Sequence, residues 1–340
     1  MSWRRFITVL SLFLLTLWPG RISASNQPNG WTTGAIRQAA ADRALSWVRS
    51  QQRDDGALGA YGPSITLTAD AVYAVALSGD DPAGSEWTPQ DTSLLAALRS
   101  LAETQASDAG RVGKALRALG AAGYDASDPT VSALITKLNG WYDPTTGAYG
   151  PYPDQGFHQA LAIEGLAAVG APIPDAAINR VLSKQHSDGG WSWQFGNASA
   201  ESDVDTTGQV MLALLASGMA PDHEAITRAM AFLAAMQQED GGWPDVSSAT
   251  VTNGNSSGLA VRAAIRAGLD PRAAPLRAVS PTAEDYLLNL QQSSGAFTWR
   301  PDQPADNLMA TLDVLPALIP AWPGDRPLSY VSCLPAVIRR

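Results

Sequence analysis

Two aspartates near the middle of the chain have the type and spacing that suit proton chemistry. Asp203 and Asp205 lie two residues apart in the segment Ser202–Thr207, where an apolar helical pattern begins. A carboxyl group can donate a proton at neutral pH only where burial and a second carboxylate raise its pKa. Carboxylates at a helix start have a simpler role, because they accept hydrogen bonds from free backbone N–H groups. We predict that Asp203 or Asp205 is such a cap, and we expect Asp205 to take this role, with a lowered pKa.

A repeated pattern organises the chain around these aspartates. It places a glutamine four residues before a glycine, with an aromatic or apolar residue two positions further on, and its four copies are Gln52–Gly56–Leu58, Gln185–Gly189–Trp191, Gln237–Gly241–Trp243 and Gln291–Gly295–Phe297. An amphipathic helical pattern precedes each copy, and a polar loop with a second, alanine- and leucine-rich helix follows it. Each unit is roughly 45 to 55 residues long, which is typical of helical repeat arrays.

The spacing predicts six helix–loop–helix units and an all-α fold. The second helices are expected at about Leu67–Ser78, Arg111–Ala122, Phe157–Val169, Asp205–Ser217, Ser257–Ala267 and Asn307–Ile319. Their small side chains suit close packing on the inside of two concentric rings. An open solenoid would need polar terminal units, whereas the last unit here is as apolar as the middle ones. We therefore predict a closed α/α toroid of six helical hairpins.

These repeats resemble the QW repeats of squalene–hopene cyclases and related terpene cyclases, and they cover about residues 40–320. The wider superfamily includes prenyltransferase β subunits and the cobalamin carriers intrinsic factor and transcobalamin, all with an α/α toroid. The resemblance implies that the repeat residues are structural, with the glutamines tying helix ends. On this basis Gln52, Gln185, Trp191, Gln237, Trp243, Gln291 and Phe297 are assigned to the scaffold.

The segment with the two aspartates resembles the Asp-x-Asp-Asp motif of class II terpene cyclases. In that family the middle aspartate is held protonated and donates its proton to an alkene or epoxide. The resemblance implies that Asp205 would be the acid and Asp203 its partner. Thr206 stands where the motif has its third acid.

Polar residues recur where other inner helices are expected to begin, including Thr68 and Asp70. This recurrence favours capping, but it also collects polar groups and loop aromatics at one mouth of the ring. The candidate ligand-binding residues are Tyr152, His158, Gln159, Trp193, Asp203, Asp205, Thr206, Asn255, Asp306 and Asn307. We expect no metal or other cofactor, because the three histidines lie in different units and the single cysteine, Cys333, lies outside the ring.

The N-terminus has the pattern of an export signal. Two arginines precede an apolar run of about 13 residues, which is shorter than the roughly 20 needed to span a bilayer. We predict a signal peptide at residues 1–25, the toroid at 26–320 and a tail at 321–340, with no transmembrane segment after the signal. Without the signal the chain has 20 Lys and Arg against 32 Asp and Glu, a net charge of −12. That charge argues against nucleic-acid binding.

Three functions are compatible with these patterns. The preferred hypothesis is an exported, non-catalytic protein, extracellular or at the cell surface, which binds a large, partly apolar small molecule or a protein partner in the toroid mouth. An isoprenoid- or corrinoid-like ligand fits the resemblance. The second hypothesis is a class II-like cyclase that uses Asp205, and the third is a structural interaction scaffold. A deep pocket would speak against the scaffold.

Overall fold

The structure is a computed structural model that describes residues 33–325, and twelve helices form the body of this part of the chain. The outer helices are α1 (Thr33–Ser50), α3 (Leu94–Gln105), α5 (Pro129–Gly140), α7 (Asp175–Ser183), α9 (Glu224–Met236) and α11 (Ala283–Asn289). The inner helices are α2 (Ile65–Ser78), α4 (Ala109–Ala121), α6 (Gly156–Ala168), α8 (Val204–Ala216), α10 (Gly254–Arg266) and α12 (Leu308–Leu318).

The six inner helices form a closed ring. Each packs on the next inner helix along the chain, and α12 packs on both α2 and α1, which closes the circle. Two short antiparallel hairpins, β1–β2 (Tyr142–Asp143 and Ala148–Tyr149) and β3–β4 (Thr298–Arg300 and Gln303–Asp306), are the sheets of residues 33–325. The predicted all-α toroid of six hairpins is therefore confirmed.

Small residues allow the inner helices to approach closely. A β-carbon on Gly113 of α4 would lie 2.3 Å from the Leu161 carbonyl oxygen of α6, and one on Gly258 of α10 would lie 2.5 Å from the Asp313 carbonyl oxygen of α12. Neither contact leaves room for a side chain. The alanine-rich composition of these helices thus has a direct steric cause.

Most inner helices begin at a polar cap that lies between zero and four residues before the predicted start. The side chains of Ser64, Asp108, Asp203, Asn253 and Asn307 each accept a hydrogen bond from a backbone N–H in the first turn of the helix that follows. Such bonds satisfy N–H groups that have no partner within the helix.

Two polar residues expected near the helix starts, Thr68 and Asp70, lie inside α2. The Thr68 hydroxyl accepts a bond from the Leu58 N–H at 3.0 Å, and the Asp70 carboxylate forms ion pairs with α4. Neither side chain caps its helix.

The repeat glutamines link loops to neighbouring hairpins. Each donates from its side-chain amide to the carbonyl of the glycine in its own turn, at 2.7–2.9 Å. Gln185 also donates to the Ala225 carbonyl of α9, and Gln291 donates to the Ala40 carbonyl of α1, both at 2.8 Å. The last repeat is thereby hydrogen-bonded to the first helix.

The repeat aromatics are buried between the helix layers. Trp191 and Trp243 are both 0 % exposed, and their indole N–H groups donate to the Val181 and Leu233 carbonyls of the preceding outer helices. A second contact was not anticipated from the sequence. The backbone N–H of each aromatic, and of Phe297, donates at 2.9 Å to a hydroxyl one turn into the inner helix that follows, on Thr207, Ser257 and Thr311 respectively.

A buried ionic cluster lies where the two ends of the ring meet. Arg37 of α1 pairs with Glu284 of α11 and with Asp325, and its guanidinium group lies 4.3 Å from the centre of the buried Trp322 ring. The predicted signal peptide and most of the tail, including Cys333, lie outside the described residues. Within those residues, no helix is both long and apolar enough to cross a membrane.

We expect the repeat residues to be important for stability. Gln237→Ala would leave the Gly241 carbonyl and the Arg277 N–H without their partner, at a cost of about 1–3 kcal/mol in the free energy of unfolding. Trp243→Ala should cost more, about 3–5 kcal/mol, because it removes a fully buried ring. Denaturant unfolding monitored by circular dichroism measures both. Values near zero for both variants would contradict a structural role.

Candidate functional site

A cavity of about 420 Å³ lies within the ring of inner helices. Its lining residues come from all six of these helices, mostly from their N-terminal halves, and from the adjoining loops. They are Thr66, Leu67, Asp70, Lys114, Arg117, Phe157, Asp205, Gln209, Asp245, Asn253, Asn255, Leu259, Arg262, Trp299, Met309 and Asp313. The volume falls within the range of roughly 300–1,000 Å³ typical of small-molecule sites.

Asp205 lines this cavity from the first turn of α8. Its Oδ1 atom is buried and has no hydrogen-bond partner in residues 33–325. Burial raises the pKa of Asp205 to about 7, and the Ser256 hydroxyl opposes part of that shift, while the neighbouring carboxylates of Asp203, Asp313 and Asp245 add to it. The structure therefore presents Asp205 to the cavity as an acid that is substantially protonated at neutral pH.

The prediction that Asp205 caps α8 is wrong, because Asp203 occupies the cap position. The Asp203 carboxylate accepts bonds from the Thr206 N–H at 2.6 Å and the Trp193 N–H at 2.7 Å. Burial nevertheless raises the pKa of Asp203 against these two bonds. With the N–H groups already satisfied by Asp203, Asp205 has no backbone donor and its pKa rises instead of falling.

Two carboxyl groups that are far from Asp205 in the sequence act on it in the fold. They add to the carboxylate of Asp203, whereas the third acid position of the Asp-x-Asp-Asp motif is held by Thr206. Asp245 belongs to the loop before α10, and Asp313 lies in the middle of α12. Both line the cavity, and both raise the pKa of Asp205 by charge repulsion. A raised pKa therefore does not require a third acid within the segment itself.

A network of buried ion pairs joins the inner helices α2, α4, α6 and α10. Arg117 of α4 contacts Asp70 of α2 at 2.7 Å and Glu164 of α6 at 3.2 Å. Lys114 also pairs with Asp70, and Arg262 of α10 lies 3.6 Å from Glu164. Burial alone would raise the pKa of Glu164, but the Arg117 and Arg262 guanidinium groups lower it on balance. Glu164 is therefore ionised in the interior of the ring.

Polar and aromatic groups hold the members of this network in place. The Gln209 side-chain amide donates to Glu164 at 2.7 Å. The guanidinium groups of Arg117 and Arg262 lie 4.5 Å and 5.4 Å from the centre of the Tyr73 ring. Four inner helices, α4, α6, α8 and α10, are thus joined through one carboxylate, that of Glu164.

The candidate ligand residues fall into two groups. Of those named from the sequence, Asp205 and Asn255 line the cavity, and the Asn255 amide donates to Asp313. The others lie around it. Tyr152 and Trp193 are about half exposed, in the loops before α6 and α8.

The remaining candidates have partners within the protein. Gln159 is buried, and its side-chain amide bonds both the N–H and the carbonyl of Tyr149 at 2.8 Å. Asn307 caps α12, Asp306 accepts a bond from Ser294, and Thr206 is buried in the first turn of α8.

His158 lies next to a carboxylate. Its buried Nδ1 atom is 3.6 Å from Asp108 Oδ1 and has no hydrogen-bond partner in the described part of the chain. Burial lowers the pKa of His158, against the charge of Asp108, so the ring is neutral near pH 7. Within residues 33–325, no group of three or more His, Cys, Asp or Glu side chains is arranged to hold a metal ion.

Sequence reasoning missed the ionic network because its members are scattered over 193 positions, from Asp70 to Arg262. One signal was available. Arg117, Glu164 and Arg262 each have small or apolar immediate neighbours, on inner helices predicted to be buried. A charged residue in such a helix must find an opposite charge in the interior.

Comparisons with known proteins agree with this architecture. Residues 94–253 match the family described as the squalene-hopene cyclase C-terminal domain. A drimenyl diphosphate synthase from Streptantibioticus cattleyicolor is 30 % identical over 152 residues, which are 40 % of this chain and 27 % of that protein. A squalene–hopene cyclase from Zymomonas mobilis is 33 % identical over 88 residues, 25 % of this chain and 13 % of that protein. The chain therefore spans only a small part of these two relatives.

Among solved structures, a variant of the type II terpene cyclase MstE from Scytonema, in complex with the product merosterolic acid A, has the same fold. The TM-score is 0.61 at 16 % identity, and the match covers 84 % of this chain and 97 % of that one. This similarity concerns the fold. Together with the closed ring of helical hairpins, it shows that the chain has an α/α toroid fold.

Proposed function

We propose that this protein is a class II-like cyclase of an isoprenoid small molecule, with Asp205 as its acid. The carrying observation is a carboxyl group with a pKa of about 7 that lines a cavity formed by residues of all six inner helices. A general acid works best when its pKa lies near the operating pH. The names of the matched relatives, a drimenyl diphosphate synthase and a squalene–hopene cyclase, support the choice of substrate class.

The proposed reaction is an isomerisation. The Asp205 hydroxyl gives its proton to one carbon of a terminal C=C bond, which leaves a positive charge on the other carbon. The π electrons of a second C=C bond attack that carbon and form the ring bond. Loss of a proton to water from a carbon beside the new cation restores a double bond, and Asp205 regains a proton from solvent. The substrate gains one proton and loses one, so no oxidant, reductant or co-substrate is consumed.

A non-catalytic binding protein is the second candidate, and the charged lining of the cavity favours it. Asp70, Lys114, Arg117 and Arg262 surround much of the space, with few aromatic rings to stabilise a carbocation. The names of the matched relatives favour an isoprenoid-like ligand over a corrinoid-like one. A cavity of about 420 Å³ also speaks against a scaffold that binds no small molecule. Export to the cell surface or beyond, based on residues 1–25, remains part of the proposal.

The protonation state of Asp205 gives a prediction about stability. Because its pKa is raised in the folded protein, the folded state binds the proton more tightly than the unfolded state does. The stabilisation of the folded state by this bound proton is complete below the pKa of Asp205 in the unfolded chain, about 4, and it is lost as the pH rises towards about 7. Asp205→Asn should therefore unfold at a higher temperature than the wild type at pH 8, with a gap that narrows towards pH 5. A difference in unfolding temperature that does not change with pH, or no difference at all, would contradict the raised pKa of Asp205.

Turnover distinguishes the two candidate functions. The purified protein is incubated at pH 6–7 with farnesyl diphosphate, geranylgeranyl diphosphate and squalene, and the extracts are analysed by gas chromatography and mass spectrometry after dephosphorylation. We expect a cyclic isomer of one substrate. Asp205→Asn should lower its rate by about two orders of magnitude or more, as expected for loss of a general acid. Asp222→Asn, an exposed aspartate in the turn before α9, is the matched control. A substrate that binds without any product would favour the binding protein.

A further inference from the structure

We propose that the cationic floor of the cavity, formed by Lys114, Arg117 and Arg262, binds an oxyanionic group of the ligand, either a carboxylate or a phosphate. The proposal deepens the proposed function and rests on it only in assuming that a small molecule enters the cavity. Both Lys114 and Arg117 come from α4, and Arg262 faces them from α10. All three side chains line the cavity.

The first argument is the balance of charge. Three cationic side chains share two carboxylates, those of Asp70 and Glu164, through the ion pairs of the network. One positive charge is left without a carboxylate of its own. An uncompensated charge away from bulk water is costly, and an anionic group on the ligand would remove that cost.

Asp205, Asp245 and Asp313 also line the cavity, but the ion pairs of Lys114, Arg117 and Arg262 in the described residues go to Asp70 and Glu164. Asp313 lines the cavity from α12 and accepts a hydrogen bond from Asn255, not from a cation of the floor. Burial raises the pKa of Asp313 against the charges of Lys114 and Arg262. Asp313 is thus engaged with Asn255, and the ion pairs of the floor still join three cations to two carboxylates.

The second argument is an unpartnered donor. Arg262 is 7 % exposed, and its Nη2 atom is buried without a hydrogen-bond partner among residues 33–325. Its approach to Glu164, at 3.6 Å, is longer than a hydrogen bond. Buried guanidinium donors are normally satisfied. A small shift of the Arg262 side chain towards a ligand oxyanion would supply the missing bond.

The helix arrangement adds a third contribution. Thr66, Phe157, Asp205, Asn255 and Met309 line the cavity from the first turns of α2, α6, α8, α10 and α12. The N-terminal ends of five helices therefore surround the same space. Each end carries a partial positive charge, and together they favour an anion in the cavity.

The test uses three ligands that share one hydrocarbon chain and differ in the head group: farnesyl diphosphate, farnesoic acid and farnesol. Each is titrated calorimetrically into the Asp205→Asn protein, alone and combined with Arg262→Met. Because Asp205→Asn lacks the proposed acid, the titration reports binding even if the cyclase proposal fails. Arg266→Met, an exposed arginine one turn further along α10, is the matched control. Lys114→Gln serves as a second floor variant should Arg262→Met fail to fold, as judged by circular dichroism.

We expect at least one of the two anionic ligands to bind about tenfold or more tightly than farnesol, and Arg262→Met or Lys114→Gln to remove most of that preference. The preference should survive Arg266→Met. Tighter binding of farnesyl diphosphate would assign the site to a phosphate, and tighter binding of farnesoic acid would assign it to a carboxylate. Equal affinities for all three ligands, no binding of any, or a preference that both floor variants retain would overturn the proposal.

Discussion

The close approach of six inner helices is the constraint on which the rest of the structure depends. Where Gly113 meets the Leu161 carbonyl and Gly258 meets the Asp313 carbonyl, the backbones are too near for a side chain between them. The ring can close only if such positions stay small. Closure in turn leaves the central space to the larger side chains that point inward, and those side chains determine what the cavity can do.

Closure also determines where charge can be placed. A charged side chain that is buried in the middle of an inner helix cannot reach bulk water sideways, because outer helices cover the ring, so it must pair across the centre. Arg117, Glu164 and Arg262 do so, and Gln209 completes the bonds of the carboxylate. Such networks are sensitive to the loss of one member, since the remaining charge stays buried. The same network therefore fixes the helices relative to one another and gives the cavity its polarity.

The repeat pattern was sufficient to predict the fold, because it records local geometry. Gly241, for example, adopts φ +88°, and a β-carbon there would lie 2.3 Å from the Thr282 carbonyl oxygen. A glycine at this place in the pattern therefore indicates both a left-handed turn and a close contact with the neighbouring hairpin. The site was harder to predict. Asp203 and Asp205 are two residues apart, and sequence alone does not say which of them precedes the helix. The carboxyls that influence Asp205, Asp245 and Asp313, are 40 and 108 positions away.

The position of Asp205 has a further consequence for chemistry. In the first turn of α8 the helix dipole favours the ionised carboxylate and so opposes a raised pKa. Desolvation is nevertheless the largest influence on this group, and it raises the pKa. An apolar chain that enters the cavity displaces water from the side of Asp205 that faces it, which strengthens desolvation further. A hydrocarbon ligand would thus increase the protonated fraction of the acid that it contacts.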